Sequence, residues 1–333
     1  MLLKKLRDSG CAEYSVISTD PPVFYLYHGR NFEPVYRLLR GSAAYFLFAF
    51  AACKEDQTEI DRLKKYTSLH EKKFPGHKFI YLCNSSKELE LLHENDLDAS
   101  LINHNCFVDE RIFTVRPDAE KIYDAVYDAQ IARMKRHYLA SGIESLALIT
   151  YLFYPGLKEP FVRDVIDGFE RAHWFNKPYR KDYRVLTPEE VSGCLSRCRV
   201  GLCLSAVEGG MYASVQYMLS GLPVVSTRSK GGRDEFFDDR YVKIVDDDPE
   251  AVRRGVGELI ERNVPADLIR RETIKKMEVH RERFIALIEG IYRDHGIRRD
   301  FREEWDSIFF NKMLKLQTLD YAKRILTQKR DAL

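Results

Sequence analysis

The stretch SAVEGGMYASVQYMLSGLPVVST, Ser205 to Thr227, combines residue types that could hold a phosphorylated ligand. A carboxylate, Glu208, stands directly before Gly209 and Gly210, and an amide, Gln216, follows eight residues after it. Glycines let a backbone approach a ligand closely. The first N–H groups of a following helix are donors at its positive end, which suits phosphate. The pattern predicts a helix from Met211 to Ser220, closed by Gly221, with Pro223 just beyond. Met211, Val215, Met218 and Leu219 form its apolar face, leaving Ser214, Gln216 and Ser220 nearer the polar side. At about 1.5 Å per residue, Glu208 and Gln216 stand roughly 10 Å apart, about the span of a nucleotide sugar from hexose to ribose. A tight turn with an exposed acid and a solvated glutamine fits the spacing equally well. The chain has neither a GxGxxG fingerprint nor a GxxxxGK[ST] loop, which argues against a nicotinamide-dependent oxidoreductase.

The elements that must position these residues alternate along the chain. AEYSVIS, VFYLYHG, AAYFLFAFAA, HKFIYLCNS and ASLINHN read as strands, with a helix over EIDRLKKYTSLHEKKFPG. From Tyr123 the alternation resumes. YDAVYDA is followed by a helix from about Lys135, SLALITYLF, a helix around Val162 to Ala172 and a short strand YRVL. Thr187-Pro188-Glu189-Glu190 opens the next helix, with Thr187 as N-cap and acids in the first turn. RVGLCLS, PVVST and YVKIV complete the strands, and a largely helical tail runs from Pro249 to Leu333. Strands alternating with helices, with few hairpin signals, predict an α/β fold with largely parallel sheets. The polar segment around Asn103 to Lys121 breaks the rhythm and reads as a linker. The expected division is residues 1–105, a linker 106–121, a second domain 122–295 and a helical segment 296–333.

With 333 residues the chain is long enough for two cores. A net charge of +2 lacks the basic excess of a nucleic-acid binder, so no nucleic-acid partner is expected. Seven cysteines without a CxxC pair read as buried free thiols of a reducing compartment, Cys194, Cys198 and Cys203 included. MLLKKLRDSG is too short in apolar residues for a signal peptide, and no run approaches ~18 apolar residues, so a cytoplasmic protein is expected.

Residues 205–227 resemble the donor-binding signature of GT-B glycosyltransferases, particularly the large retaining family of sucrose synthases and bacterial mannosyltransferases. Ser205, Glu208, Gly209, Gly221, Pro223, Val224 and Val225 match, while Gln216 stands where the family has a second Glu. LINHNCFVDERIF is similar to the interdomain segment through Asn105, Val108, Asp109 and Phe113, with Cys106 where Gly is usual. YDAVYDAQIARMKRH is similar to the segment that holds the donor diphosphate. Lys135 is at the Lys position, Gln130 at the Arg position, and Arg133 and Arg136 lie close by as substitutes. SKGGRDEFF resembles the loop bordering the donor sugar, through Gly231, Gly232 and Arg233. These segments cover about two thirds of the chain.

The resemblance implies two Rossmann-like domains facing each other across a cleft, with a C-terminal helix crossing back to the first. It implies transfer of a sugar from a nucleotide-sugar donor to a glycan or lipid-linked acceptor, with retention and without a metal. Bacterial surface polysaccharide or lipopolysaccharide assembly is the implied setting. Glu208 would position the sugar, while Lys135 and Arg133 would stabilise the leaving phosphate together with the amides around Gly209, Gly210 and Met211. Gln130, Ser205, Gln216, Gly231, Gly232 and Arg233 would line the donor. Arg233 and Asp234 read equally well as a surface pair. On the acceptor side the candidates are His28, Asn84 and Ser85, although Ser85 also fits a helix N-cap. The first domain, about 105 residues, is shorter than in typical members, as if one or two βα units were missing. Residues 297–329 read as helical, and Phe309, Phe310 and nearby basic groups also suit peripheral contact with an anionic membrane. The oligomeric state is left open. So are two other readings: a scaffold that has lost catalysis, given Gln130 and Gln216, and a sugar-nucleotide epimerase or hydrolase.

Overall fold

The first two apolar runs do not stand apart as successive parallel strands. In the computed structural model, β1 (Tyr14–Thr19) and β2 (Pro22–Tyr27) form an antiparallel hairpin closed by Asp20 and Pro21. Ser18 Oγ accepts from the Asp20 N–H at 3.1 Å and donates to its carbonyl at 3.0 Å, so a serine and an Asp-Pro pair make the turn without glycine. The structure describes residues 14–27, 32–151 and 160–309, with the isolated positions 322, 324 and 326.

Met1–Phe107 and Glu278–Leu333 form one unit, Val108–Met277 the other. In the first unit the hairpin continues into β3 (Ala44–Ala49), β4 (His77–Cys83) and β5 (Ala99–Leu101), all parallel to β2, in the spatial order β1-β2-β3-β4-β5. The connecting helices are α1 (Glu33–Leu38), α2 (Gln57–Lys73) and α3 (Ser86–Glu94). Strand periodicity sends alternate side chains to opposite faces. Phe24, Phe46, Phe48, Phe79 and Tyr81 form one buried cluster with Val35, Tyr36, Ile60, Leu63 and Leu92 of the helices. The neighbouring Tyr25 instead meets Phe107, Phe284 and Phe309, and the Tyr45 hydroxyl is 3.0 Å from His295 Nε2. The chain from Glu278 onward therefore supplies apolar cover that the crossover helices do not.

The second unit has six parallel strands: β6 (Tyr123–Asp128), β7 (Leu146–Ile149), β8 (His173–Trp174), β9 (Cys198–Cys203), β10 (Val224–Thr227) and β11 (Val242–Val245). Their order is β11-β10-β9-β6-β7-β8. The chain builds outward from β6 to β8, returns to the middle, and builds the other way from β9 to β11. Its direction of growth reverses between β6 and β9. The helices are α4 (Pro160–Gly168), α5 (Pro188–Leu195), α6 (Tyr212–Leu219) and α7 (Pro249–Arg262); α8 (Ala266–Asp294) starts in this unit and belongs to the first from Glu278 on, as does α9 (Phe301–Phe309). Thr187 opens α5 with a reciprocal capping box to Glu190.

Two expectations are corrected. The helix expected from Lys135 is two 3₁₀ turns, Arg133–Lys135 and His137–Ala140, broken at Arg136, whose φ of 50° no helix accepts. Tyr183–Leu186 is not a strand. Asn176 Nδ2 donates to the Arg184 carbonyl at 3.0 Å, tying that segment to the loop after β8. Of the tail helix, α9 and the three isolated positions are described; the remainder, Phe310 included, lies outside the described residues. Among the described residues no helix is long and apolar enough to cross a membrane.

Candidate functional site

The reversal between β6 and β9 is where an open α/β sheet places a ligand, because the loops leaving the two strands diverge there. Lys135 lies beyond the end of β6 and Glu208 beyond the end of β9. The structure brings them together. Lys135 Nζ pairs with Glu208 Oε1, with the two side chains only 10% and 8% exposed.

Both loops are fixed by side chains that bind main chain. Tyr127 donates its hydroxyl to the Lys135 carbonyl at 2.5 Å, and Lys135 N–H closes its turn on the Ala132 carbonyl at 2.9 Å. Arg136, expected near the phosphates, is committed elsewhere. Its Nε donates to the Leu204 carbonyl and one terminal nitrogen to Thr227 Oγ1, each at 2.6 Å, and the other terminal nitrogen pairs with Asp247. Glu208 N–H donates to the Lys230 carbonyl at 3.0 Å, and Lys230 N–H returns to the Ala206 carbonyl at 3.0 Å. These bonds anchor the Glu208 loop to the loop that carries Gly231 and Gly232. Gly231, at φ 92° and ψ −168°, occupies backbone space that only glycine enters freely.

Arg233 neither lies on the surface nor presents its guanidinium to a sugar. Fully buried, it donates to the carbonyls of Cys203 (3.1 Å), Ser205 (2.8 Å) and Thr227 (2.5 Å) and pairs with Asp234 at 2.7 Å. Its role is to satisfy the carbonyl ends of β9 and β10. Arg133 is exposed and lies over the Phe161 ring at 4.7 Å, on the same turn as Lys135.

α6 follows Glu208 as expected, with Met211 at the N-cap offering no side-chain acceptor and Gly221 at φ 77° closing it. A Cβ at Gly221 would also meet Ala266 Cβ at 2.6 Å. The expected polar side is corrected: every residue from Ala213 to Leu219 is buried, because the helix is enclosed on all sides. Ser214 returns its hydroxyl to the Met211 carbonyl at 2.7 Å. Gln216 is 6% exposed, and its side chain makes no hydrogen bond to the described residues. Ser205 Oγ is likewise buried without a partner. Buried polar groups left unpaired are uncommon and call for a ligand or water. Gly209 is buried, while Gly210 and Gln130 are partly exposed.

Two participants were not singled out from the sequence. Asp128 ends β6, where burial pushes its carboxyl up to about 7 against the pull of the Lys135 ammonium. Tyr217 of α6 accepts the Asp128 N–H at 2.6 Å. An acid closing a buried strand was the available signal for Asp128. Nothing local marks Tyr217.

In the first unit, Asn84 is fully buried. Its Nδ2 donates to the Phe50 carbonyl at 2.9 Å and its Oδ1 accepts from His104 N–H at 3.2 Å. Ser85 caps α3, accepting from Glu88 N–H at 3.2 Å and donating to Glu55 at 2.6 Å. Both act as braces. Buried Glu88 joins the same ends by accepting from the N–H groups of Asn84 and Lys54, each at 2.7 Å. His28 lies outside the described residues. Among the described residues no three His, Cys, Asp or Glu side chains gather as a metal site.

No family model and no curated protein matches the chain in sequence. Solved structures match in shape. TarM of S. aureus aligns with a TM-score of 0.55 and 14% identity over 80% of this chain and 54% of TarM. HepE of Anabaena, solved with UDP, gives 0.53 and 12% over 76% of this chain and 72% of its own. Sucrose-phosphate synthase of Thermosynechococcus elongatus gives 0.52 and 14% over 79% and 70%. The chain thus spans about half the length of TarM. At these identities the likeness establishes the fold, which is that of the GT-B glycosyltransferases.

Proposed function

We propose that the chain is a glycosyltransferase that takes a sugar from a nucleotide sugar and passes it to a glycan or lipid-linked acceptor. The observation that carries this reading is the meeting of Lys135 and Glu208 from opposite sides of the strand-order reversal. Cleaving a sugar–diphosphate bond builds negative charge on the leaving phosphate and positive character on the sugar. An ammonium for the first and a carboxylate for the hydroxyls of the second are the groups such a step needs. In this reading the phosphates lie against Lys135 and the start of α6, the sugar against Glu208, and the ribose near Gln216. Arg133 can leave Phe161 to reach the phosphates, whereas Arg136 and Arg233 hold the strand ends on which the site is built. The neighbours' ligands support a nucleotide-sugar donor. HepE was solved with UDP-glucose and with UDP and glucose, TarM with UDP and α-GlcNAc-glycerol. Retention of configuration, reaction without a metal, and a place in surface-glycan assembly belong to the proposal.

The test is a thermal-shift and turnover panel of UDP, GDP, ADP and CMP sugars on wild type and Lys135→Ala. A donor at 100 times its Kd adds about 2.7 kcal/mol of stability. One donor should stabilise wild type, with the shift collapsing in the variant. If no nucleotide sugar binds, the proposal fails and the catalytically silent scaffold takes its place, with Gln130 and Gln216 as the reason.

A further inference from the structure

The loop that leaves the edge strand β8 is closed at its neck by one buried side chain. Asn176 accepts the Thr150 N–H at 2.9 Å and donates to the carbonyls of Thr150 at 2.6 Å and Arg184 at 3.0 Å. Thr150 in turn donates its hydroxyl to the Ala129 carbonyl at 2.8 Å. The neck is thus fixed to the residues that follow β6 and β7, and the chain from Lys177 to Tyr183 stands out from it. Tyr179 to Asp182 are exposed. Tyr179, 45% exposed, has its backbone at φ 63°, a conformation that costs a bulky residue free energy and that glycine adopts freely. Such strain persists only where the surroundings enforce it, and it gathers at functional positions. Arg163 of α4 lies over the same ring at 5.5 Å. Lys177, Arg180 and Lys181 stand against one acid in the loop, Asp182, which pairs with Arg180 at 3.4 Å. Lys177, Lys181 and Arg163 have no ion-pair partner among the described residues.

We infer that this loop is a docking surface for an anionic glycan, with sugar rings against Tyr179 and acidic groups against Arg163, Lys177 and Lys181. The two halves of the surface match the two halves of such a ligand. Cations attract its phosphate, sulfate or carboxylate groups, and the apolar C–H face of a pyranose lies flat on an exposed aromatic ring. A chain of net charge +2 lacks the broad basic field of a nucleic-acid binder, and Lys177 to Tyr183 offers no aliphatic side chain to enter a bilayer. That the docked glycan is the acceptor rests on the function proposed above; the docking itself rests on the loop alone.

Titration calorimetry of the full chain with dextran sulfate, uncharged dextran and inorganic polyphosphate, at about 0.15 M salt, tests this. Wild type should bind dextran sulfate and not dextran. Tyr179→Gly suits the φ of 63°, so it should melt no lower than wild type and yet bind dextran sulfate about tenfold more weakly. Its affinity for polyphosphate, charged but without a ring, should be unchanged. Lys177→Ala with Lys181→Ala should weaken both polyanions about tenfold. Tyr179→Asn, also at home at that φ, repeats the comparison if glycine loosens the loop. No binding of dextran sulfate by wild type, or equal binding by the folded Tyr179 variants, overturns the inference. So does tighter binding to an RNA oligomer or to phosphatidylglycerol vesicles that the same variants lose. A tenfold loss in a protein that turns over no nucleotide sugar would sink the proposed function and leave the docking surface standing. Turnover with equal binding by wild type and variants would do the reverse.

Discussion

In the second unit the strand order turns back between β6 and β9, whereas in the first it runs from β1 to β5 without reversal. The two sheets share parallel strands and connecting helices, yet only one has a place where neighbouring loops diverge over the strand ends. In that place lie the paired Lys135 and Glu208 and the Ser205 hydroxyl, buried with no partner among the described residues. At the corresponding strand ends of the first unit, Asn84, Ser85 and Glu88 bind one another's loops. Winding direction thus separates polar side chains available for a ligand from polar side chains consumed in holding loops. A single direction of winding also keeps the crossover helices to one face under the right-handed crossover rule, so the opposite face needs Phe284 and Phe309 from the chain's return.

The comparison breaks most visibly at Arg233. Arg233→Met removes a buried guanidinium and orphans the carbonyls of Cys203, Ser205 and Thr227. A loss of about 3–5 kcal/mol is expected in urea unfolding, because unpaired buried groups lose their full solvation. Lys135→Ala should leave a folded protein whose turnover of its donor falls about a hundred- to a thousandfold. Comparable activity in that variant would remove the basis for treating the reversal as the working site.

Asp128→Asn gives a smaller effect with a defined sign. The folded carboxyl titrates at about 7, above its ordinary 3.8, so the native state binds the proton more tightly than the unfolded chain. Its contribution to stability is fully present below about pH 4 and is lost as pH rises through 7. The asparagine variant, uncharged throughout, should therefore gain on wild type between pH 4 and pH 8, by up to about 4 kcal/mol for a pKa raised that far. Unfolding curves across that range check it, and parallel curves would contradict the assignment. Ser85→Ala, in the first unit, removes one helix cap and should cost about 1 kcal/mol. Donor affinity should be unchanged, which separates a loop brace from a ligand contact.

The segment around α6 was legible because its signals are local. Glu208-Gly209-Gly210 opens the helix, and Gly221 with Pro223 ends it within a few residues. The turn after β6 was not. Lys135-Arg136-His137 reads as a basic run, and the left-handed Arg136 that interrupts it is stabilised by Leu204, Thr227 and Asp247, all distant in sequence. Arg233 failed for the same reason: a lone arginine beside an aspartate looks like a surface pair until three strand-end carbonyls are found around it. Tyr183 to Leu186 has the composition of a strand, but among the described residues no strand pairs with it. Local chemistry singled out Glu208 and Lys135, which the structure pairs, and long-range bonds decided which basic residues were held back.

Gly201 lies in β9 directly beneath Tyr217. A Cβ there would come within 2.3 Å of the tyrosine ring, whose hydroxyl reaches past β9 to the Asp128 N–H at the end of β6. The two positions are therefore sterically coupled. A descendant lineage that acquires a side chain at position 201 must first give up the ring at 217, and with it the link to β6. Among divergent relatives, tyrosine at position 217 should be found only together with glycine at position 201.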